Sequence, residues 1–126
     1  MNTDIINPKV LAYIGDAVYE VMIRSYLLKV KTNDLNKLQT LKIKYVSAKN
    51  QALILDDLIN NNLLNEEELQ TVKRARNTKV SSKPKNTDII TYKKATALEA
   101  LFGKLYLEED LKRIEELKNI ILNKGD

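Results

Sequence analysis

Two acidic residues lie within otherwise apolar helical stretches. Asp16 belongs to LAYIGDAVYE, and Glu99 belongs to ATALEALFGKLYL. An unpaired carboxylate is costly to bury, so each acid needs a partner, a bound cation or access to water. Small neighbours, such as Gly15 and Gly103, would leave room for an ion. If the two helices pack together, the carboxylates could converge on Mg²⁺, which usually takes one or two protein carboxylates and keeps several waters.

Other kinds of hydrolytic chemistry lack the necessary side chains. The chain has no Cys and no His, which excludes disulfides, thiolate or imidazole metal sites and a Ser-His-Asp triad. A hydrolase of this composition would use carboxylates and a hard cation. Such an ion could lower the pKa of an attacking water and stabilise charge on a cleaved phosphate.

The pattern of these acids also has ordinary explanations. Asp16, Glu20 and Arg24 are spaced four residues apart, as in a solvated polar stripe with weak ion pairs. One acid on a solvated helix face, such as Glu99, is ordinary as well. Periodicity alone therefore does not establish a metal site.

A basic segment precedes the second acid. Residues 73–85, KRARNTKVSSKPK, contain six cations and no acid, and residues 73–104 contain nine basic and two acidic residues. This charge suits contacts with a phosphate backbone, and the lack of interleaved aromatic residues favours a duplex over single strands. A loop that merely aids solubility is the alternative. The candidate binding residues are Lys73, Arg74, Arg76, Lys79, Lys83 and Lys85.

The elements that would position these residues are helices. The length predicts one domain over residues 1–126, and apolar residues at helical spacing make it all-α. No signal peptide or membrane span is recognisable, which predicts a cytoplasmic protein. Apolar spacing and capping residues predict no strand, an exposed loop over 77–87 and helices from Pro8 to Leu28, from a Thr32 cap to about Tyr45, from Ala48 to Asn61, from an Asn65 cap to Arg76, from Asp88 to Leu107 and from Asp110 to Leu122.

The motifs together resemble those of a known family. NPKVLAYIGDAVYE, VSAKNQA, KRARNTK, PKNTDIITYKKAT and LEALFGKLYL occur in the wording and order of the Mini-ribonuclease III family, which is similar to the catalytic domain of ribonuclease III. The resemblance implies an all-helical homodimer with two active sites, which cleaves double-stranded RNA with Mg²⁺ and matures precursor large-subunit (23S) ribosomal RNA. By motif match, Asp16 and Glu99 would be catalytic and would bind the metal.

The resemblance also identifies what this chain lacks. Full-length ribonuclease III enzymes carry further acids where this chain has Ala12 and Thr96, so one metal ion per site is expected. With no appended RNA-binding domain in the family, the six basic residues would supply RNA affinity. The natural cleavage site, and any ribosomal protein that presents the substrate, remain open. The alternatives are a non-catalytic RNA-binding or ribosome-associated protein of the same fold and a helical protein-interaction module.

Overall fold

The computed structural model describes residues 1–80 and 82–125, and it confirms the all-α prediction. None of the described residues forms a strand. The α-helices are α1 (Pro8–Tyr26), α2 (Leu35–Val46), α3 (Ala48–Asn60), α4 (Glu66–Arg76), α5 (Ile89–Leu107) and α6 (Leu111–Gly125). A 3-10 turn, Thr3–Ile5, precedes α1, and a π-helical turn, Leu27–Lys31, follows it.

Helix α5 is the centre of the fold. It packs against α1, α3, α4 and α6, so apolar or small side chains are needed on nearly all of its faces. The core is mostly aliphatic. Its aromatic members are Tyr45 and an edge-to-face pair between Tyr19 and Phe102, with ring centroids 5.3 Å apart. The Tyr19 hydroxyl donates a hydrogen bond to the Tyr45 carbonyl, 2.8 Å away. These contacts join α1, α2 and α5 close to Glu99, which lies three residues before Phe102 in α5.

Local capping signals predicted most helix starts correctly. Asn7 accepts a hydrogen bond from the Lys9 N–H ahead of α1, and Ser47 caps α3. Asn65 and Glu68 form the expected capping box of α4, in which each side chain accepts from the other residue's N–H. These signals work because all the atoms involved lie within one helical turn.

The predicted Thr32 cap of α2 is wrong. Asp34 caps this helix by accepting from the N–H groups of Asn36 and Lys37, while the Thr32 hydroxyl accepts from the Asp34 N–H. The chain remains helical beyond Tyr26 through the π turn Leu27–Lys31, which delays the start of α2.

Helix α6 is anchored mainly through its second half. The apolar spacing predicts that Leu111, Ile114, Leu117 and Ile121 are buried. Leu117 and Ile121 are buried as predicted, and so is Leu122, but the prediction is wrong for Leu111, which is 64% exposed. Arg113 donates from Nε and Nη2 to the carboxylate of buried Glu68, at 2.7 and 2.8 Å. This pair fastens α6 to the start of α4.

No helix among the described residues has the length and apolarity needed to cross a membrane.

Candidate metal-binding active site

Helices α1 and α5 cross at two glycines. A Cβ added to Gly15 would lie 1.6 Å from the backbone oxygen of Glu99, and one added to Gly103 would lie 1.9 Å from the backbone oxygen of Leu11. Only residues without a side chain permit this approach. We expected these small residues to leave room for an ion, but the glycines instead bring the two helix backbones together.

This crossing brings together the two acids singled out in the sequence. Asp16 is exposed and Glu99 is half-buried, and their side chains are within hydrogen-bonding reach of each other. Burial, the hydrogen bond with Asp16 and the charge of Asp16 raise the pKa of Glu99 to about 8. Two carboxylates in contact therefore need either a shared proton or a cation.

A third residue at this position, Gln51 of α3, was missed from the sequence. Gln51 is 4% exposed. Its side chain hydrogen-bonds to Glu99, which favours the charged carboxylate and so lowers the pKa of Glu99. Its position, four residues before Leu55 and seven before Leu58 on the buried face of α3, was the available signal. A buried amide on an apolar stripe needs a polar partner.

Glu20, one turn after Asp16, forms ion pairs with two basic side chains. Its carboxylate accepts from Arg24 Nη2 at 2.7 Å and from Lys42 Nζ at 2.9 Å. Although burial opposes the change, hydrogen bonds from Lys42 and Arg24 lower the pKa of Glu20. The polar-stripe interpretation therefore holds for Glu20 and Arg24, whereas Asp16 faces Glu99. An open cavity of about 560 Å³ borders Asp16, Glu20 and Arg24.

The paired carboxylates fit a hard divalent cation. They supply oxygen donors, and a cation between them would offset the burial and the charge of Asp16 that raise the pKa of Glu99. Among the described residues, no group of three or more Asp, Glu, His or Cys side chains is arranged to hold a metal. Such a site suits an ion that takes few protein ligands and retains water, as Mg²⁺ does.

The six basic candidates have different environments. Lys73 and Arg76 are exposed on the last turn of α4, and Lys79, Lys83 and Lys85 are exposed in the following loop. Arg74 is half-buried and donates to the Ile6 carbonyl at 2.8 Å, so it also holds the N-terminal segment. Ser81 of this loop lies outside the described residues.

Lys93 is a basic residue that the sequence did not single out. With Lys73 and Arg76 it lines an open groove of about 590 Å³ between α4 and α5. A lysine at the start of α5 gives no local signal of this, because only the packing of α4 beside α5 brings it to the groove.

Comparison with known proteins decides the family. The Ribonuclease III domain model matches residues 9–110 of the chain. The chain belongs to the ribonuclease III family. It is therefore an endoribonuclease, and ribonuclease III enzymes generally use divalent metal ions and act on double-stranded RNA.

Individual relatives of this ribonuclease III family member cover nearly all of it. Mini-ribonuclease 3 of Staphylococcus aureus is 46% identical over 119 residues, which are 94% of this chain and 88% of the relative. Mini-ribonuclease 3 of Streptococcus pneumoniae is 39% identical over 124 residues, 98% of this chain and 97% of the relative. A crystal structure of a Fusobacterium nucleatum protein is 35% identical with a TM-score of 0.83, covering 97% of this chain and 96% of that one. The resemblance and the predicted fold are confirmed.

Proposed function

We propose that this ribonuclease III family member cleaves double-stranded RNA with Mg²⁺ held by Asp16 and Glu99, and that residues 1–126 act as one catalytic unit. The observation that carries the proposal is the meeting of the two carboxylates where α1 crosses α5, next to an open cavity. A divalent cation there would supply an activated water and would stabilise negative charge on the phosphate.

The chain's own side chains prepare the site for that cation. Asp16 is exposed and would be accessible to the ion, whereas the Glu99 carboxyl is hydrogen-bonded to Gln51 of α3. The Glu20 carboxylate forms ion pairs with Arg24 and Lys42. Asp16 and Glu99 would therefore hold the ion, since Mg²⁺ usually takes one or two protein carboxylates.

The basic residues 73–85 position the duplex. Lys73, Arg76, Lys79, Lys83 and Lys85 are exposed, so their charges are available to phosphates. Arg74 contributes charge from a fixed position, because its guanidinium is bonded to the Ile6 carbonyl. Duplex RNA would be recognised mainly by its shape and backbone.

A homodimer is part of the proposal. Helix α1 exposes an apolar stripe of Val10, Tyr13, Ala17 and Val21, spaced three and four residues apart, and Tyr13 is 77% exposed. Such a face on a family member expected to dimerise suits a second copy of α1.

Light scattering tests the dimer. We expect wild type to be a dimer and Tyr13→Glu to be a monomer, whereas Leu53→Glu, on the exposed surface of α3, should remain a dimer. A wild-type monomer would contradict the dimer.

Precursor 23S ribosomal RNA is the proposed natural substrate. Support comes from the relatives named Mini-ribonuclease 3 at 46% and 39% identity and from the motif resemblance. Incubation with precursor 23S transcripts, with and without ribosomal proteins, tests both the substrate and a presenting partner. Uniform cutting of any long duplex would argue against a dedicated substrate.

Cleavage of a long RNA duplex tests the proposed activity. We expect wild type to cut it only with a divalent ion, and Asp16→Asn and Glu99→Gln each to lose at least about 100-fold in rate at unchanged folding. Glu116→Gln, which changes an exposed carboxyl on α6, is the matched control. Active Asp16→Asn and Glu99→Gln variants would refute the assignment, and an inactive wild type would favour a binding protein.

A further inference from the structure

The N-terminal half of the chain carries a second basic surface, although its total charge shows no basic excess. Residues 1–72 contain eight basic and nine acidic residues, which gives no excess. Within them, however, residues 21–55 contain seven basic residues and only one acid, Asp34. With Glu20, which pairs with Arg24 and Lys42, the local charge is +5. It lies on other elements than the charge of residues 73–104, namely the end of α1, the π turn, α2 and the start of α3.

The end of the π turn and the first part of α2 line a groove, which we call the α2 groove. It is open, has a volume of about 520 Å³ and is lined by Lys31, Thr32, Asn36, Lys37, Thr40 and Leu41. Lys31 extends over the Tyr26 ring, with Nζ 6.0 Å from its centroid, and Lys37 is exposed. Asp34 caps α2 and accepts from two backbone N–H groups. The groove lining itself contains two cations and no acid.

We propose that the α2 groove binds the sugar–phosphate backbone of the duplex RNA, as a second contact region besides residues 73–85. The inference rests on the proposed function. Lysine, threonine and asparagine side chains are those that proteins use to contact phosphate and sugar oxygens. A single apolar residue, Leu41, lines the groove, which favours a nucleic-acid backbone over an acidic protein segment that would bury apolar side chains.

The distance from the carboxylates suits a contact farther along the same duplex. Lys31 follows Asp16 by fifteen residues on an almost continuous helix, which corresponds to about 22 Å at ~1.5 Å per residue. The α2 groove would therefore meet the backbone several nucleotides from the cleaved bond. A duplex must extend at least that far to use both regions.

Salt-dependent binding tests the inference. The full chain is titrated with a duplex of three helical turns in EDTA, which prevents cleavage, and binding is followed by fluorescence anisotropy. Loss of two phosphate contacts in Lys31→Gln/Lys37→Gln should make the slope of log K against log[salt] shallower by about 1.8, a weakening of up to about 60-fold at about 0.1 M salt. The matched control, Lys112→Gln/Lys118→Gln on α6, removes the same charge and should bind as wild type.

A second pair of substitutions separates this inference from the proposed function. Lys79→Gln/Lys83→Gln changes the basic loop. If that variant loses RNA affinity while Lys31→Gln/Lys37→Gln retains the wild-type slope, the α2 groove is not a contact and the inference falls alone. If wild type itself does not bind the duplex, the proposed function fails.

Two further results would also count against the α2 groove. Equal weakening in the α6 control would mean that net charge matters rather than the groove. If Lys31→Gln/Lys37→Gln binds polyglutamate more weakly than wild type does, but binds RNA equally well, the groove would instead bind an acidic protein. Circular dichroism and thermal melting check that each variant is folded. If the double variant Lys31→Gln/Lys37→Gln melts early, Lys37→Gln alone replaces it, with about half the expected change in slope.

Discussion

Replacing Gly15 by Ala is the perturbation that links the fold most closely to the site. The new Cβ would lie 1.6 Å from the Glu99 oxygen, 2.5 Å from the Glu99 carbonyl carbon and 2.8 Å from the Gly103 nitrogen. All three are backbone atoms, so no side chain can rotate away. A tolerable contact requires α1 and α5 to separate locally by roughly 1.5 Å or more, because well-packed interiors have no free space at such contacts.

The expected loss follows from two opposing effects. Alanine favours a helix over glycine by about 1 kcal/mol, whereas overpacking of this severity costs about 3 kcal/mol or more. We therefore expect Gly15→Ala to lower the free energy of unfolding by roughly 2 kcal/mol or more. The separation also moves Glu99 away from Asp16, and a misplacement of about 1 Å can reduce a catalytic rate about 100-fold.

Urea unfolding and cleavage of an RNA duplex at low temperature, where the variant is folded, measure the two effects. Asn119→Ala, on the exposed surface of α6, serves as the control, with stability expected within about 0.5 kcal/mol of wild type. A Gly15→Ala protein as stable and active as wild type would refute the close helix crossing and the site built on it.

Three other predictions concern charge and backbone strain. Because the folded pKa of Glu99 is about 8 against an ordinary 4.5, metal-free protein should lose roughly 3 kcal/mol of stability from pH 5 to 9, and Glu99→Gln should remove that loss in urea titrations. Arg113→Ala strands the carboxylate of Glu68, which is 2% exposed, and should cost about 3 kcal/mol; Lys118→Ala, which breaks a more exposed pair, should cost under about 1 kcal/mol. Glu109 has a φ of 60°, so Glu109→Gly should raise the free energy of unfolding by about 0.5 kcal/mol. An unchanged pH profile, equal losses in the two ion-pair variants or a less stable glycine variant would contradict the respective predictions.

Features determined within one or two turns of helix could be predicted from the sequence. The capping box of Asn65 and Glu68 is such a feature, and so is the end of α3, where Asn62 has a φ of 56°. The π turn Leu27–Lys31 could not be predicted, since apolar periodicity does not distinguish it from a continuing α-helix. The Asp34 cap was missed for the same reason.

The candidate site was predictable only in part. Asp16 and Glu99 were found because an acid in an apolar stretch violates a local rule. Their meeting depends on the crossing at Gly15 and Gly103, which no local pattern specifies. Long-range hydrogen bonds, such as that of Arg74 to Ile6, require the assembled helices.

The metal site can be tested by calorimetric titration of the metal-free protein with Mn²⁺, a Mg²⁺ substitute of similar ligand preference. We expect one ion per chain for wild type and for Glu116→Gln, and loss of that binding in Asp16→Asn and in Glu99→Gln. Undiminished binding in both folded variants would contradict the assignment of these carboxylates as the metal site.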